Sequence, residues 1–260
     1  MAEFDAWAEL YDTLHPGLPG EARFYVTRAI AAGGPVLELG CGTGRVALAM
    51  ALSGVDVVGL DLSEAMLDVA ADKLEALEDV PGDVELVVGD MRDFDLERVF
   101  SFIAMPYRSF MHLHEPEDQL ACLESVLAHL APGGTFIFNT WQPRPSAIAT
   151  FQGAIRNVDR YPVEETGGQL VHTMSTRADE GDQRLYEEHL IHEVDEDGLV
   201  EASYSLTLSR TWTTYRELLH LIARSGFEVV EVLGDFRGEP RDGDSTEMIW
   251  VLRAAEPEAD

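Results

Sequence analysis

Three glycines lie at every second position after a short apolar run, in the segment VLELGCGTG at positions 36–44. The run predicts a buried strand, and a loop without side chains lets the backbone approach a ligand closely. Glu38 lies just before the glycines, where a carboxylate would repel a pyrophosphate and attract a ligand that carries ammonium and sulfonium groups. Dinucleotide-binding enzymes place the third glycine three residues after the second, and Arg45 occupies that position here. The spacing therefore points away from NAD.

Strand-like and helix-like segments alternate around this loop, and their spacing sets the fold class. This alternation predicts an α/β fold: a doubly wound, seven-stranded, mostly parallel sheet with helices on both faces. The helix that starts at Ser63 is expected to be capped by that serine, and a later helix by Thr213. The predicted strands are Pro35–Leu39, Val55–Leu60, Val84–Val88, Phe100–Met105, Thr135–Asn139, Glu228–Leu233 and Glu247–Leu252, and the predicted helices are Arg45–Leu52, Ser63–Leu77, Pro116–Leu130 and Thr213–Ser225.

The composition of the chain limits its partners. Forty-eight acidic and 18 basic residues give a formal charge of −30 at pH 7, and Lys73 is the single lysine. So negative a surface argues against nucleic acid and anionic membranes as partners, and it is typical of proteins adapted to high salt. No segment has the pattern of a signal peptide or a membrane span, so we expect a cytoplasmic protein. Cys41 and Cys122 show no metal-ligand spacing and are expected to be reduced.

The glycine loop resembles the first motif of class I S-adenosylmethionine-dependent methyltransferases, and further motifs follow in order. GLDLSEAML contains Asp61, VVGDMRDF contains Asp90, and AMPYRSFMHL and LAPGGTFIF match the segments around strands four and five. WAELYD, with Tyr11, resembles the N-terminal helix that covers the cofactor in small-molecule members of the family. The resemblance implies S-adenosyl-L-methionine as cofactor, with Asp61 on the ribose hydroxyls and Asp90 on the adenine edge. The cofactor-binding residues it implies are Glu38, Gly40, Gly42, Gly44, Asp61, Leu62, Asp90, Met91 and Met105.

The chemistry expected of such a site is in-line transfer of an activated methyl group to an oxygen or nitrogen of a small-molecule acceptor. His112 is the candidate base because an ordinary imidazole has a pKa of about 6.5. Tyr11 could close over the methyl group, and Arg108 is a further candidate active-site residue. No metal is expected, since His189 and His192 should lie on opposite faces of a strand. A non-catalytic S-adenosylmethionine-binding protein or partner subunit, and a nucleotide-linked oxidoreductase, remain alternatives.

Residues 142–211 differ in pattern from the rest and predict an antiparallel β-insertion after strand five. Leu199–Arg210 alternates apolar and polar residues as a half-buried strand does, after the strands Leu170–Ala178 and Arg184–Val194. The insertion is expected to form either a wall of the acceptor site or an interface with a second copy, so that the protein is a monomer or a homodimer. Residues 1–141 and 212–254 would then form the cofactor-binding core, and 255–260 a disordered acidic tail.

Overall fold

The structure is a computed structural model that describes residues 3–163 and 167–256. From position 257 onward the acidic tail lies outside the described residues, so its predicted disorder stays a prediction. The helices are α1 (Ala8–Leu14), α2 (Glu21–Ala32), α3 (Ala47–Leu52), α4 (Glu64–Ala76), α5 (Pro116–Ala128), α6 (Pro145–Ile148) and α7 (Tyr215–Arg224), with short 3-10 turns at Asp5–Trp7 and Ser109–His112. The strands are β1 (Val36–Leu39), β2 (Val57–Asp61), β3 (Val84–Val88), β4 (Phe100–Met105), β5 (Leu130–Trp141), β6 (Gln152–Pro162), β7 (Gln169–Asp179), β8 (Arg184–Val194), β9 (Val200–Thr211), β10 (Phe227–Leu233) and β11 (Glu247–Ala254).

The chain divides into two compact units. The first contains residues 3–9, Gly17–Gln142 and 213–256, and the second contains Leu10–Pro16 and Pro143–Trp212. The sequence predicts an insertion at residues 142–211, and the longer segment of the second unit is Pro143–Trp212. The second unit also includes Leu10–Pro16, which the sequence analysis had placed in the core. The functions assigned to these two parts remain proposals.

The first unit is built on a seven-stranded sheet in the order β10-β11-β5-β4-β1-β2-β3. Neighbouring strands run parallel except for β11, which is antiparallel to both β5 and β10. The predicted fold class is therefore confirmed. Because β1, β2 and β4 run parallel, their carboxyl ends, and the motifs that follow them, lie at one edge of the sheet.

Helices cover both faces of this sheet, which explains why its central strands are mostly apolar. All four residues of β1 are buried. On one face, α5 and α7 pack in a core that contains Phe136, Phe138 and Trp250. On the other face, α2 and α3 pack around Tyr25 and Met50. A strand that is buried on both faces cannot alternate polar and apolar residues.

Several predicted element boundaries were wrong. Thr214, not Thr213, caps α7, because its side chain accepts the Glu217 N–H while the Glu217 carboxylate accepts the Thr214 N–H. Ser63 caps α4 as predicted. The strand predicted at Thr135–Asn139 is the middle of the longer strand β5, which starts at Leu130 and bulges between the residues that pair with Phe100 and Phe102.

The second unit contains an antiparallel sheet in the order β6-β7-β8-β9. Three of these strands were predicted. β6 was missed because its sequence, QGAIRNVDRYP, mixes charged residues and a glycine with few apolar side chains, as an edge strand permits. The prediction that Leu199–Arg210 is half-buried holds only near its end, since Leu208 is buried whereas Val200 and Tyr204 are exposed. Among the described residues, no helix is long and apolar enough to span a membrane.

Candidate active site

The glycine loop turns sharply at the carboxyl end of β1. Gly40, Gly42 and Gly44 have φ angles of +65°, +54° and +77°, a left-handed region that favours glycine. The Gly40 and Cys41 N–H groups both donate to the Leu60 carbonyl, at 2.8 and 3.2 Å. The loop is thereby fixed to the end of the neighbouring strand β2.

A side chain at any of these glycines would meet protein atoms. A Cβ at position 42 would lie 3.1 Å from the Met66 Cε atom in α4, and one at position 40 would lie 3.0 Å from the Ser109 Oγ atom. At position 44 the nearest atom would be Cγ of Leu48, at 3.1 Å. Backbone handedness and close packing thus require these glycines, alongside any contact with a ligand.

Glu38 is a buried carboxylate beside the loop. Only 2% of its surface is exposed, and its Oε2 atom has no hydrogen-bond partner among the described residues. Burial raises the pKa of Glu38 well above its usual value of 4.5, Arg45 opposes that shift, and Glu21 and Asp61 add to it. An unpaired buried carboxylate oxygen is costly, so this atom is suited to receive a cationic hydrogen-bond donor.

Asp61, the last residue of β2, ties the two strand ends together. Its Oδ2 atom accepts the Gly42 N–H at 2.8 Å, and its Oδ1 atom accepts the Ser63 N–H at 2.9 Å. Burial raises the pKa of Asp61, while these backbone donors oppose the shift. Each carboxylate oxygen has two lone pairs, so both can still accept a ligand hydroxyl. Leu62 follows with 56% of its surface exposed, an apolar side chain at the edge of the site.

Asp90 and Met91 follow β3 and lie near the same loop. The Arg92 guanidinium binds both oxygens of Asp90, and the Nη2–Oδ2 distance is 2.6 Å. This pairing lowers the pKa of Asp90, so the carboxylate is charged and its orientation is fixed. The Met91 Cε atom lies 3.6 Å from the point where a Cβ atom would lie if residue 40 were not glycine. The segment VVGDMRDF therefore lies beside the glycine loop.

The segment after β4 has a strained backbone. Tyr107 and Arg108 have φ angles of +56° and +65°, a conformation that costs a non-glycine residue about 1–2 kcal/mol. Glu21, fully buried, accepts the Tyr107 N–H at 2.8 Å. Arg45 binds the other oxygen of Glu21 at 2.7 Å and lies over the Tyr107 ring, 4.9 Å from its centroid. Arg45 therefore holds this turn in place.

Arg108 is part of a second buried network. Its guanidinium forms an ion pair with Glu247, at the start of β11. Asn139 of β5 donates to the other Glu247 oxygen at 2.9 Å, and its own Oδ1 atom accepts the Arg108 N–H at 3.4 Å. These contacts give Arg108 a structural role, and they do not test its predicted contact with the reacting groups.

The remaining predicted residues have different surroundings. His112 ends the 3-10 turn after β4, its ring packs edge-on against Phe4 at 5.0 Å, and its Nδ1 atom lies 3.9 Å from a Glu3 carboxylate oxygen. Met105 is fully buried, so its side chain belongs to the core. Tyr11 belongs to the second unit, where its ring contacts His15 with the centroids 4.8 Å apart.

No sequence motif points to four buried polar residues of this site: Glu21, Tyr25, Asn139 and Glu247. The Tyr25 hydroxyl donates to Asn139 at 3.3 Å. A buried charge in α2 or β11 has no local sequence pattern, because its ion-pair partner lies 24 residues away for Glu21 and 139 residues away for Glu247. Among the described residues, no cluster of three or more histidine, cysteine, aspartate or glutamate side chains could hold a metal ion.

Comparison with known proteins gives the site a chemical context. Residues 36–134 match the family model described as "Methyltransferase domain". The chain is 33% identical over 226 residues to a cypemycin N-terminal methyltransferase from Streptomyces sp, covering 85% of this chain and 83% of that protein. It is 30% identical to a dTDP-3-amino-3,6-dideoxy-alpha-D-glucopyranose N,N-dimethyltransferase from Streptomyces fradiae, covering 77% of each. The solved structure of the CcbJ methyltransferase from Streptomyces caelestis matches with a TM-score of 0.79 and 29% identity over 96% of each chain.

These comparisons also bear on the alternatives. They give no support to a non-catalytic cofactor-binding protein. The structure adds a reason against a dinucleotide site, since Arg45, at the position of the third glycine, is bound to Glu21 and packs on Tyr107.

Proposed function

Because this chain belongs to the class I S-adenosylmethionine-dependent methyltransferases and acts on a small-molecule acceptor, we propose that the methylated atom is an amine nitrogen. Both curated relatives named above are N-methyltransferases. One methylates an N-terminal amine and the other an amino sugar, as their names state. An N-terminus and an amino sugar both present an amine, so methylation of an amine nitrogen is the chemistry that these two names share.

The unpartnered carboxylate of Glu38 is the observation that carries the assignment of the cofactor site. S-adenosylmethionine supplies a methyl group activated by a sulfonium, together with an ammonium that can donate to a carboxylate. Glu38 would hold that ammonium, Asp61 the ribose hydroxyls, and Leu62, Asp90 and Met91 the adenine. The buried negative charges at this edge of the sheet fit a ligand with two cationic centres.

The protein's part in the reaction is to position and desolvate the reacting groups. Methyl transfer forms a nitrogen–carbon bond with the amine lone pair and breaks the carbon–sulfur bond, whose electrons stay on the sulfur. The amine must therefore arrive unprotonated, and the product ammonium must lose a proton. We assign His112 as the proton acceptor, Tyr11 as a cover for the methyl group, and Arg108 as a residue that positions the turn at Tyr107.

Other properties complete the proposal. The sheet of the second unit forms either a wall of the acceptor site or an interface between two copies, and the protein is a monomer or a homodimer. The net charge of −30 supports a salt-adapted enzyme that does not bind nucleic acid, and a cytoplasmic location is part of the proposal.

Incubation with isotopically labelled methyl donor tests the function. The purified protein is offered a peptide with a free N-terminal amine and a nucleotide-linked 3-amino sugar, and mass spectrometry locates the label. We expect label on nitrogen in one of these products and none when Asp61→Ala replaces the wild type. Label on an oxygen only, or a protein that does not bind S-adenosylmethionine by calorimetry, would contradict the proposal.

A further inference from the structure

The second unit carries two buried histidines on one face of its sheet. We call this the inner face; its buried side chains are Leu170, His172 and Thr176 of β7, Leu185, Glu187, His189 and Ile191 of β8, and Leu208 of β9. His172 and His189 are 6% and 2% exposed. Their rings are nearly coplanar, with 2.9 Å between the His172 Nε2 and His189 Nδ1 atoms. The two side chains therefore form one hydrogen-bonded pair.

This pair leaves hydrogen-bonding capacity unused. Burial lowers the pKa of His172, and it lowers that of His189 to about 4, so both rings are neutral near neutral pH. A neutral imidazole has one donor and one acceptor, and the shared bond uses one nitrogen of each ring. The His172 Nδ1 atom has no hydrogen-bond partner among the described residues. A polar atom buried without a partner destabilises a protein, so its presence on this face points to a ligand.

A second polar group on the inner face supports this interpretation. The Arg210 Nη2 atom binds both oxygens of Glu187, at 2.6 and 2.7 Å, which neutralises the pair. The Arg210 Nε atom is buried and has no hydrogen-bond partner within the described part of the chain. The neutral histidines and the Arg210–Glu187 ion pair carry no net charge, whereas Asp159 of β6 and Glu193 of β8 lie on the same face by strand register and make it negative. Such a surface suits hydroxyl groups better than a phosphate or a carboxylate.

Aromatic rings from the N-terminal segment of the same unit lie against this pair. The His15 ring centroid is 6.4 Å from that of His189, and the Tyr11 ring lies 4.8 Å from His15. Ring faces pack against the apolar C–H surface of a compact ring, while the polar atoms beside them take its hydroxyls. Aromatic ring faces next to neutral hydrogen-bonding atoms are the contacts that a saturated, hydroxyl-bearing ring needs.

We propose that the inner face binds the uncharged, hydroxyl-bearing part of the methyl acceptor, with the His172 Nδ1 atom as its direct hydrogen-bond partner. The Arg210 Nε atom is the second polar contact. This inference rests on the proposed function, because it takes the ligand to be the acceptor.

A nuclear magnetic resonance titration tests the site directly. The full-length protein is titrated with 3-amino-3-deoxyglucose, and the histidine ring C–H signals are assigned with His172→Gln, His189→Gln and His192→Gln variants. His192 is the internal control, since it lies on the opposite, exposed face of β8 and contacts the Ser203 hydroxyl at 2.7 Å. We expect saturable shifts at His172 and His189 and none at His192. A His172 signal that stays unchanged to saturating probe overturns the inference.

The same variants separate this inference from the proposed function. With an acceptor that the wild type methylates, His172→Gln should raise KM for the acceptor by about three- to tenfold, the value of one lost neutral hydrogen bond. The kcat value and the affinity for S-adenosylmethionine should stay unchanged, and His192→Gln should match the wild type throughout. Unchanged KM in His172→Gln refutes the site while leaving the methyltransferase activity established. Absence of any N-methylated product with the wild type refutes the proposed function instead.

Discussion

Replacing Glu38 with glutamine should stabilise the ligand-free protein while it weakens cofactor binding. The Glu38 carboxylate is buried and one of its oxygens has no partner among the described residues, a situation that costs about 1–3 kcal/mol. The glutamine amide is still a buried polar group, but it is neutral, so the added cost of burying a charge is removed. The melting temperature of the apo protein should rise by about 2–4 °C for each kcal/mol gained. Loss of a charge-assisted hydrogen bond to the ammonium should weaken binding about ten- to a hundredfold.

The stabilisation should depend on pH in a defined direction. Burial raises the pKa of Glu38 above 4.5, so the folded protein retains a proton that the unfolded chain releases. This contribution to stability is complete below pH 4.5 and is lost as the pH rises through the raised value. The difference in melting temperature between Glu38→Gln and the wild type should therefore be larger at about pH 8.5 than at about pH 5.5.

Glu247→Gln is the matched control, because it places the same substitution in another buried carboxylate of the first unit. Glu247 is bound by Arg108 and Asn139, so the change breaks a buried ion pair and should destabilise the protein by about 3 kcal/mol. The two variants should thus shift the melting temperature in opposite directions. Scanning calorimetry with and without S-adenosylmethionine measures both effects. A lower melting temperature for Glu38→Gln at pH 8.5, or undiminished cofactor affinity, would refute the reasoning.

Further predictions concern the ribose contact, the surface charge and the second unit. Asp61→Ala should weaken cofactor binding by roughly 2–4 kcal/mol, and calorimetry that finds unchanged affinity would remove Asp61 from the site. Because the formal charge is −30, the melting temperature should rise between 0.01 M and 1 M salt, as the Debye length falls from about 30 Å to about 3 Å; a flat profile would reject salt adaptation. Polar replacement of Tyr204 and Leu206 should abolish turnover, with the molecular mass in solution unchanged, if the sheet is an acceptor wall. If the sheet is an interface, the molecular mass in solution should fall to half. Full activity in an unchanged assembly would contradict both.

Local signals predicted the elements that carry the cofactor motifs. The apolar run of β1, the Ser63 cap and the acidic residue at the end of β2 each depend on a few neighbouring residues, and each lies where the sequence placed it. A predicted helix boundary was wrong where two neighbouring residues both suit the capping position. Thr213 and Thr214 both suit a helix cap, and only Thr214 has a glutamate three residues later.

Long-range polar contacts could not be predicted in this way. Glu21 accepts a hydrogen bond from Tyr107, 86 residues away, and Arg108 binds Glu247, 139 residues away. Neither contact can be recognised from a local sequence pattern. The alternation in β8 did predict that His189 and His192 lie on opposite faces, and His189 is buried whereas His192 is half-buried. It could not show that His172, on the neighbouring strand, is the partner of His189.

Lys73, in the last turn of α4, is a side chain that can be labelled selectively. Its ammonium donates to the Thr43 carbonyl of the glycine loop at 2.8 Å, and no other lysine occurs in the 260 residues. An amine-selective acylating reagent can therefore modify only this side chain and the N-terminal amine. Its rate of modification follows how often the ammonium leaves the loop. A single labelled peptide would thus record whether cofactor binding protects the contact between Lys73 and the loop, without any engineered reporter.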